Sequence, residues 1–271
     1  MKKVFILSLF VLMAGMVFAQ PQAAEGKAAF QKTQQPAAFI TLPYADNVVE
    51  KAIEDYMSRK GVKGGSSNGY KLYRSYKLVS TQEYNSDLYF KVERKSRSEK
   101  DVSIVSLIVG KSTEDIKTRK LDSTGNTSTL EGAKELLNEM VPAIEAYDLS
   151  VQIDAQQNTI TKAKKKYDGL IDDERDALNK IRDQEQKLAQ NKVDQSRQAD
   201  DINNSIHSDD KAMQKARKKM KNLVDDQSNG EKKIRNLQDK LEQNKRDQQK
   251  QQDEVNKQQD ILSTLMAKRK S

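Results

Sequence analysis

The most constraining feature of the chain is a seven-residue hydrophobic rhythm that runs from Leu149 to the end of the sequence. Gly and Pro almost vanish from this stretch, and Lys, Gln, Asp, Glu and Asn dominate it. Patterning kept over so many heptads is typical of paired helices and not of disorder. We therefore predict a coiled coil over residues 149–271. The apolar residues fall in two sets, Ile153, Ile160, Tyr167, Ile181, Leu188 and Ile202, then Ile206, Met213, Met220, Ile234, Leu241, Val255 and Leu262.

The two sets belong to two copies of one repeat. The segment that begins at Lys162 aligns without gaps to the segment that begins at Lys215, an offset of 215 − 162 = 53 residues, and close to half of the aligned positions are identical. Because 53 is seven heptads plus four residues, the second copy has a different heptad phase. The expected consequence is a stutter between the two sets.

Two stretches of the coil are candidates for a reversal of the chain. Residues 225–230 contain Asn and Gly, and Ser228 with Glu231 can cap a new helix, so this is the favoured turn. Residues 203–210 are the alternative and would give two nearly equal arms. Either position predicts that the coil folds back as an antiparallel hairpin.

The predicted seam of the coil is rich in amides, which usually lower the stability of a coiled coil and fix its register or oligomeric state. The pattern predicts a weak, adjustable coil or one that another chain completes. A loosely packed spacer without a partner is an equal alternative. The amides at seam positions are Asn191, Gln195, Gln198, Asn244, Gln248, Gln251 and Gln258.

The N-terminus has the features of a secretory signal. Lys2 and Lys3 precede a short apolar stretch, and Ala19 supplies the small residue that a signal peptidase requires. The stretch is too short for a spanning helix with a stop-transfer flank, so we expect residues 1–19 to be a cleaved signal peptide. The mature protein is then periplasmic or secreted, without a spanning segment. The sequence has no cysteine, so its fold must rest on packing without disulfides.

Between the signal and the coil we predict a leader and a small α+β domain. Residues 20–43 are rich in Gln, Ala and Pro without periodicity, which is typical of a flexible leader. Residues 44–148 predict an α-β-β-β-α domain, in which Asn47 and Glu50 form a capping box and Ser128 opens the second helix. Three strand-like segments lie near residues 70–78, 88–93 and 102–109, with short connections that favour an antiparallel sheet. The third is the most continuously apolar and is expected to be central.

No set of residues predicts a catalytic, cofactor-binding or metal-binding site. Gly110 to Thr113 resembles the end of a phosphate-binding loop, but Val105 stands where such a loop needs its first glycine. His207 is the only histidine and lies in the coil, and the chain has no cysteine, so we expect neither a Ser-His-Asp nor a Cys-His arrangement and no multi-histidine metal cluster. We expect a protein that is not an enzyme and takes no cofactor.

The charge of the chain bears on its partners. The net charge is +8, but the basic residues are mixed with acidic ones. Local basic runs at 164–166 and 217–219 occupy matching places in the two repeats. This distribution suits weak contact with anionic envelope polymers, whereas nucleic-acid binding requires a concentrated basic face. We expect no nucleic-acid partner.

Several local sequences resemble those of a family of uncharacterised exported coiled-coil proteins of Bacteroidetes. They are Phe18-Ala19-Gln20, residues 88–93 (LYFKVE), residues 144–147 (IEAY) and residues 267–270 (AKRK). The resemblance covers nearly the whole mature chain, and none of these motifs carries an assigned activity. It implies one modification site, since Asp122-Ser123-Thr124 resembles the acceptor triplet for O-glycosylation in that group, with Ser123 as the acceptor.

Two functions fit these expectations. The first is a structural or adaptor protein of the bacterial cell envelope, which acts on a protein partner, or on itself, through the coiled coil. The alternative is a periplasmic holdase for unfolded envelope proteins similar to the Skp chaperone, which also combines a small β-containing body with basic charge and helical tentacles. In that chaperone the helical hairpin is inserted in the body, whereas here the coil follows it.

Overall fold

The computed structural model describes residues 21–30, 32–78, 85–111, 127–204 and 210–270. The chain divides into two compact units, an N-terminal unit (Met1–Val151) and a C-terminal unit (Gln152–Ser271). The elements in chain order are β1 (Ala24–Phe30), β2 (Thr33–Leu42), α1 (Asp46–Arg59), β3 (Gly64–Ser67), β4 (Tyr70–Tyr76), β5 (Ser86–Arg94), β6 (Ser103–Lys111), α2 (Thr127–Asn204) and α3 (Asp210–Lys268). The predicted α+β region followed by long helices is confirmed.

The N-terminal unit is built on an antiparallel sheet with the strand order β1-β2-β6-β5-β4-β3. Strands β5 and β6 pair along their whole length, from Ser86 opposite Lys111 to Arg94 opposite Ser103. The predicted strands β4, β5 and β6 are confirmed, and the apolar segment 102–109 forms the inner strand β6 between β2 and β5. The sheet has six described strands where the sequence predicts three.

The sequence predicts a flexible leader over residues 20–43, and this prediction is wrong because Ala24–Phe30 and Thr33–Leu42 form β1 and β2. Strand β2 has apolar residues on both faces, so its sequence shows no alternation to detect. Pro36 also argues against a strand, but it lies opposite Lys27 of β1, before the point where β2 begins to pair with β6 at Ala38. A proline is tolerated there because only one neighbouring strand requires hydrogen bonds.

The sequence does not predict strand β3, because its glycine-rich sequence is typical of a loop. It pairs with β4 across a two-residue turn, and Asn68 and Gly69 both adopt positive φ, at 49° and 80°. Two successive positive φ angles are the requirement of the tightest hairpin turn, which Asn-Gly satisfies better than most pairs.

One face of the sheet is covered by α1 and by the start of α2. The buried residues of α1 follow helical spacing, and those of α2 continue the same core: Val49, Ala52, Ile53 and Met57, then Ala133, Leu136, Leu137, Met140 and Ile144. Helix α1 begins at Asp46 with Ala45 at its cap and no side-chain cap bond, so the capping box at Asn47 is wrong. Gly61 follows its end at φ 79°, a left-handed conformation that glycine adopts without strain.

The opposite face closes on itself through curvature. Strands β1 and β4 are four positions apart in the sheet, and at the usual spacing a flat sheet would separate them by about 19 Å. The ring centres of Phe30 and Tyr70 nevertheless lie 5.5 Å apart, and the Tyr70 hydroxyl donates to the Ala29 carbonyl at 2.9 Å. The sheet therefore curls around a second apolar cluster, which Tyr89 and Ile108 complete.

The long helices correct the expected position of the turn. Residues 225–230 are helical and lie inside α3, so the favoured turn is wrong. A glycine in a helix interior costs about 1 kcal/mol. This cost is too small to produce a turn where the flanking heptads pack. The interval between α2 and α3, residues 205–209, falls within the alternative stretch and outside the described residues. The change of heptad phase also falls there, so neither described helix contains a stutter.

Candidate interaction site on the paired helices

Most of the less exposed residues of the C-terminal unit follow alternating spacings of three and four along α2 and α3. They lie at the predicted heptad positions and each is partly or fully buried, whereas the predicted Ile206 lies outside the described residues. We call this set the seam. Its members on α2 are Ile153, Gln156, Ile160, Ala163, Tyr167, Leu170, Glu174, Ala177, Ile181, Gln184, Leu188, Asn191, Gln195, Gln198 and Ile202, and on α3 Met213, Ala216, Met220, Leu223, Gln227, Gly230, Ile234, Leu237, Leu241, Asn244, Gln248, Gln251, Val255, Gln258, Leu262 and Leu265.

Amide side chains of the seam donate hydrogen bonds to backbone carbonyls of the opposite helix. Gln156 bonds to the carbonyl of Gln258 at 2.8 Å, and Gln251 bonds to the carbonyl of Ala163 at 3.2 Å. Asn244 makes the same kind of bond to Leu170 at 3.0 Å. As the residue numbers rise on α2 they fall on α3, so these contacts run in antiparallel order.

These bonds have a consequence for specificity. An amide that bonds to a side chain of the facing helix needs that one residue opposite it, whereas an apolar side chain tolerates a shift. A shift of one heptad would still offer carbonyls to these amides, but it would separate side-chain pairs across the helices such as Gln195 with Gln227 and Gln248 with Glu174. The polar seam therefore fixes which residues face each other more than it adds stability.

Fully buried apolar residues are few in this unit. Ile153, Ile160, Ala163, Ile181 and Val255 are each less than a tenth exposed. Outside the seam, Leu178, Val193 and Val224 are 45%, 46% and 49% exposed. The basic runs at 164–166 and 217–219 are exposed as well. The outer surface of the helices thus offers apolar and cationic groups to a partner.

The N-terminal unit has a cleft of about 280 Å³ beside β4 and β5, lined among others by Glu50, Lys71, Tyr73 and Lys91. Burial, and then the carboxylates of Glu54 and Glu50, raise the pKa of Tyr73 to about 12. The phenol therefore stays neutral at physiological pH. A phenolic nucleophile or base requires a lowered pKa, so the cleft is not tuned for that chemistry.

A polar cluster ties α1 to the first part of α2. The Tyr56 hydroxyl donates to Glu139 Oε1 at 2.7 Å, and Lys60 Nζ lies 3.3 Å from the same oxygen. The hydrogen bond from Tyr56, and then Lys60, lower the pKa of the Glu139 carboxyl. Burial raises the pKa of Tyr56, and the contact with Glu139 adds to that shift. The cluster is a structural tie within one unit, since each polar group has a partner in it.

The remaining sequence candidates do not assemble into a site. Ser123 and His207 lie outside the described residues, and Gly110 and Lys111 end strand β6. In the described ranges, acidic and histidine side chains nowhere form a group of three that could hold a metal ion. The described helices include none with the length and apolar character needed to cross a membrane.

No family model matches the chain. A search of curated proteins also gives no significant match.

Proposed function

We propose that the protein is a non-enzymatic structural or adaptor protein of the bacterial cell envelope, exported by the signal at residues 1–19. In this proposal α2 and α3 form an antiparallel coiled-coil hairpin, and the outer surface of that hairpin engages a protein partner. The N-terminal unit binds or anchors. The observation that carries the proposal is the seam, whose amides bond across the two helices in antiparallel order.

The seam supports an interaction role because it defines a shape without requiring a large core. Helix α3 has 59 residues, which corresponds to about 90 Å at the standard rise of an α-helix. A pair of this length held in one register presents a long surface on which exposed side chains keep fixed positions. Leu178, Val193 and Val224 lie on that surface and are the apolar residues best placed to contact a partner.

Export is supported by the sequence alone. Lys2, Lys3 and Ala19 have the arrangement of a signal peptide. The intermixed charge is compatible with weak contact to anionic envelope polymers. Sequencing of the mature N-terminus after cell fractionation tests this part, with Gln20 expected as the first residue. A protein that keeps Met1 and stays in the cytoplasm would contradict it.

Photocrosslinking in cells tests the interaction. A photoreactive residue is placed at Leu178, Val193 or Val224, and a matched control is placed at Ile181 in the seam, which is 9% exposed. We expect one defined envelope protein to be captured from the exposed positions and none from the control. Capture of many unfolded outer-membrane proteins, together with suppression of their aggregation, would favour the holdase instead. Equal capture at exposed and seam positions would contradict a closed helix pair.

A further inference from the structure

Gln195 on α2 and Gln248 on α3 are equivalent residues of the two repeats, since 248 − 195 = 53. Gln195 Nε2 donates to the carbonyl of Leu223 at 3.3 Å, and Gln248 Nε2 donates to the carbonyl of Leu170 at 3.4 Å. The acceptors are themselves equivalent, since 223 − 170 is also 53. One cross-helix contact is therefore made twice, with the roles of α2 and α3 exchanged.

Two further hydrogen bonds repeat in the same way. Gln195 bonds to the Gln227 side chain at 2.9 Å, and Gln248 bonds to Glu174 at 2.7 Å. Within each helix the same two glutamines bond to Asn191 at 2.6 Å and to Asn244 at 2.7 Å. Each of these partners again lies 53 residues from its counterpart. The helix pair has an internal pseudo-two-fold relation that carries one repeat onto the other.

A two-fold relation between copies is the geometry of an isologous dimer, in which one surface recognises itself. The centre of the two-fold relation lies where a residue faces its own counterpart 53 positions later. The numbers of contacting residues have a constant sum, since 195 and 223 add to the same total as 170 and 248, and this places the centre near Ile181 and the equivalent Ile234. The seam of one repeat thus contains both halves of each contact. The donor Gln195 and the acceptor Leu170 stand on the same helix, as Gln248 and Leu223 do.

We propose that a single repeat is a self-recognising pairing module, and that its partner is a second copy of the repeat, supplied by α3 or by another copy of this chain. When α3 is displaced from α2, α2 of one chain pairs antiparallel with α2 of a second chain through the same hydrogen bonds. In the intact chain α2 pairs with α3 in preference to a second chain, because a tethered segment has a high effective concentration. The inference rests on the contacts between α2 and α3 and not on where the protein acts.

Crosslinking in full-length chains tests this pairing. Ile234→Asp and Val255→Asp place charges in the α3 seam and release α2. Glu174→Cys and Gln195→Cys are then introduced into separate chains, which carry no other thiol. These positions are 21 residues apart on one helix, about 31 Å at the helical rise, so a short thiol crosslinker cannot join them within a chain. Pairing of α2 with α2 brings them together.

The expected result is a crosslinked dimer in the mixture of the two chains and none with either chain alone. As a control for the geometry, Gln195→Cys with Gln227→Cys in one otherwise unchanged chain should crosslink internally. An internal crosslink in the control without any dimer in the mixture would overturn the proposal. Export plays no part in this readout, so its outcome is separate from that of the envelope function.

A second experiment, a repeat exchange, tests the proposal if α2 unfolds in the charged variants. Residues 215–256 are replaced by the sequence of residues 162–203, so that both helices carry the first repeat. The proposal predicts unchanged helix content and a melting temperature close to that of the original chain. The matched control inserts the same sequence displaced by four residues, out of heptad phase, and should lose helix. Loss of helix in both exchanges would contradict self-recognition.

Discussion

Gly230 lies so close to Leu188 that a Cβ atom on Gly230 would stand 2.7 Å from Leu188 Cδ2 and 3.3 Å from Cγ. The repeat-related positions are Ala177 and Leu241, each 53 residues from its counterpart. Ala177 already carries the methyl group that Gly230 lacks. The two-fold relation therefore indicates that a leucine in this place can turn aside for an alanine.

This contact decides the sign of Gly230→Ala. We expect the variant to stabilise the C-terminal unit by about 0.5–1 kcal/mol, because alanine loses less backbone entropy in a helix and the Leu188 side chain is free to rotate. Thermal unfolding followed by circular dichroism measures it. Gly169→Ala, at a helical position with open space around it, is the control and should stabilise the unit similarly. A lower melting temperature for Gly230→Ala alone would show that Leu188 cannot move.

The paired glutamines predict equal effects. Gln195→Ala and Gln248→Ala each remove an Nε2 group that lies within hydrogen-bond distance of three acceptors, two of them on the opposite helix. Each change should destabilise the C-terminal unit by about 1–2 kcal/mol, since such bonds contribute roughly 0.5–1.5 kcal/mol net and share one donor group. Urea unfolding gives both values. A large difference between the two would break the two-fold relation.

Tyr73→Phe should stabilise the N-terminal unit at neutral pH. The Tyr73 hydroxyl is buried and finds no hydrogen-bond partner among the described residues. Removing an unsatisfied buried hydroxyl returns about 1 kcal/mol. Urea unfolding at pH 7 measures the change. A loss of stability would reveal a partner for the hydroxyl.

The same tyrosine predicts an alkaline effect. The pKa of Tyr73 is raised from 10.0 to about 12 in the folded state, because the fold disfavours a buried phenolate. Its titration therefore leaves the free energy of unfolding unchanged below pH 10 and lowers it as pH rises toward 12. Two pKa units correspond to about 2–3 kcal/mol. Burial shifts the pKa of Tyr70 and Tyr76 in the same direction. Tyr73→Phe should therefore flatten the stability profile above pH 10 only in part, and an unchanged profile would exclude Tyr73 as a contributor.

Tyr56→Phe should raise the pKa of Glu139. The hydroxyl of Tyr56 is the largest cause of the lowered pKa, and Lys60 adds to it. A lowered carboxyl pKa stabilises the fold above its ordinary value of 4.5, and that stability is lost as pH falls through the folded value. The variant should move the Glu139 titration, followed by NMR, toward 4.5. Lys60→Met is the comparison and should produce the smaller shift.

Gly26→Ala tests the strand that the sequence does not predict. A Cβ atom at Gly26 would lie 2.7 Å from the Phe39 ring, so the residue must push a packed aromatic side chain aside. We expect a loss of about 1–3 kcal/mol, the usual cost of overpacking. Gly65→Ala on β3, where the nearest atom is 3.8 Å away, should leave stability nearly unchanged. Equal stability of both variants would mean that residues 24–30 do not pack as β1.

The sequence carries enough information for the helices because a seam repeats along one direction. Ile181 and Ile234 occupy their seam positions through spacing alone, and spacing is visible in a single sequence. The strand segments near Leu88 and Val105 are predictable for a related reason, since apolar residues alternate along the first and persist along the second. The helix spacing and the strand alternation do not bear on the predicted function, signal peptide or modification site.

Tertiary structure decides the rest. Strands β1 and β2 form because β2 can pair with β6 and because Phe30 contacts Tyr70 across a curved sheet. No local pattern in residues 20–43 encodes these contacts. Gly230 lies buried inside α3, where it faces Leu188 of the other helix. Local periodicity thus determines which segments pair, whereas the positions of edges, curvature and turns depend on partners distant in sequence. Those partners act only after the chain has brought them together.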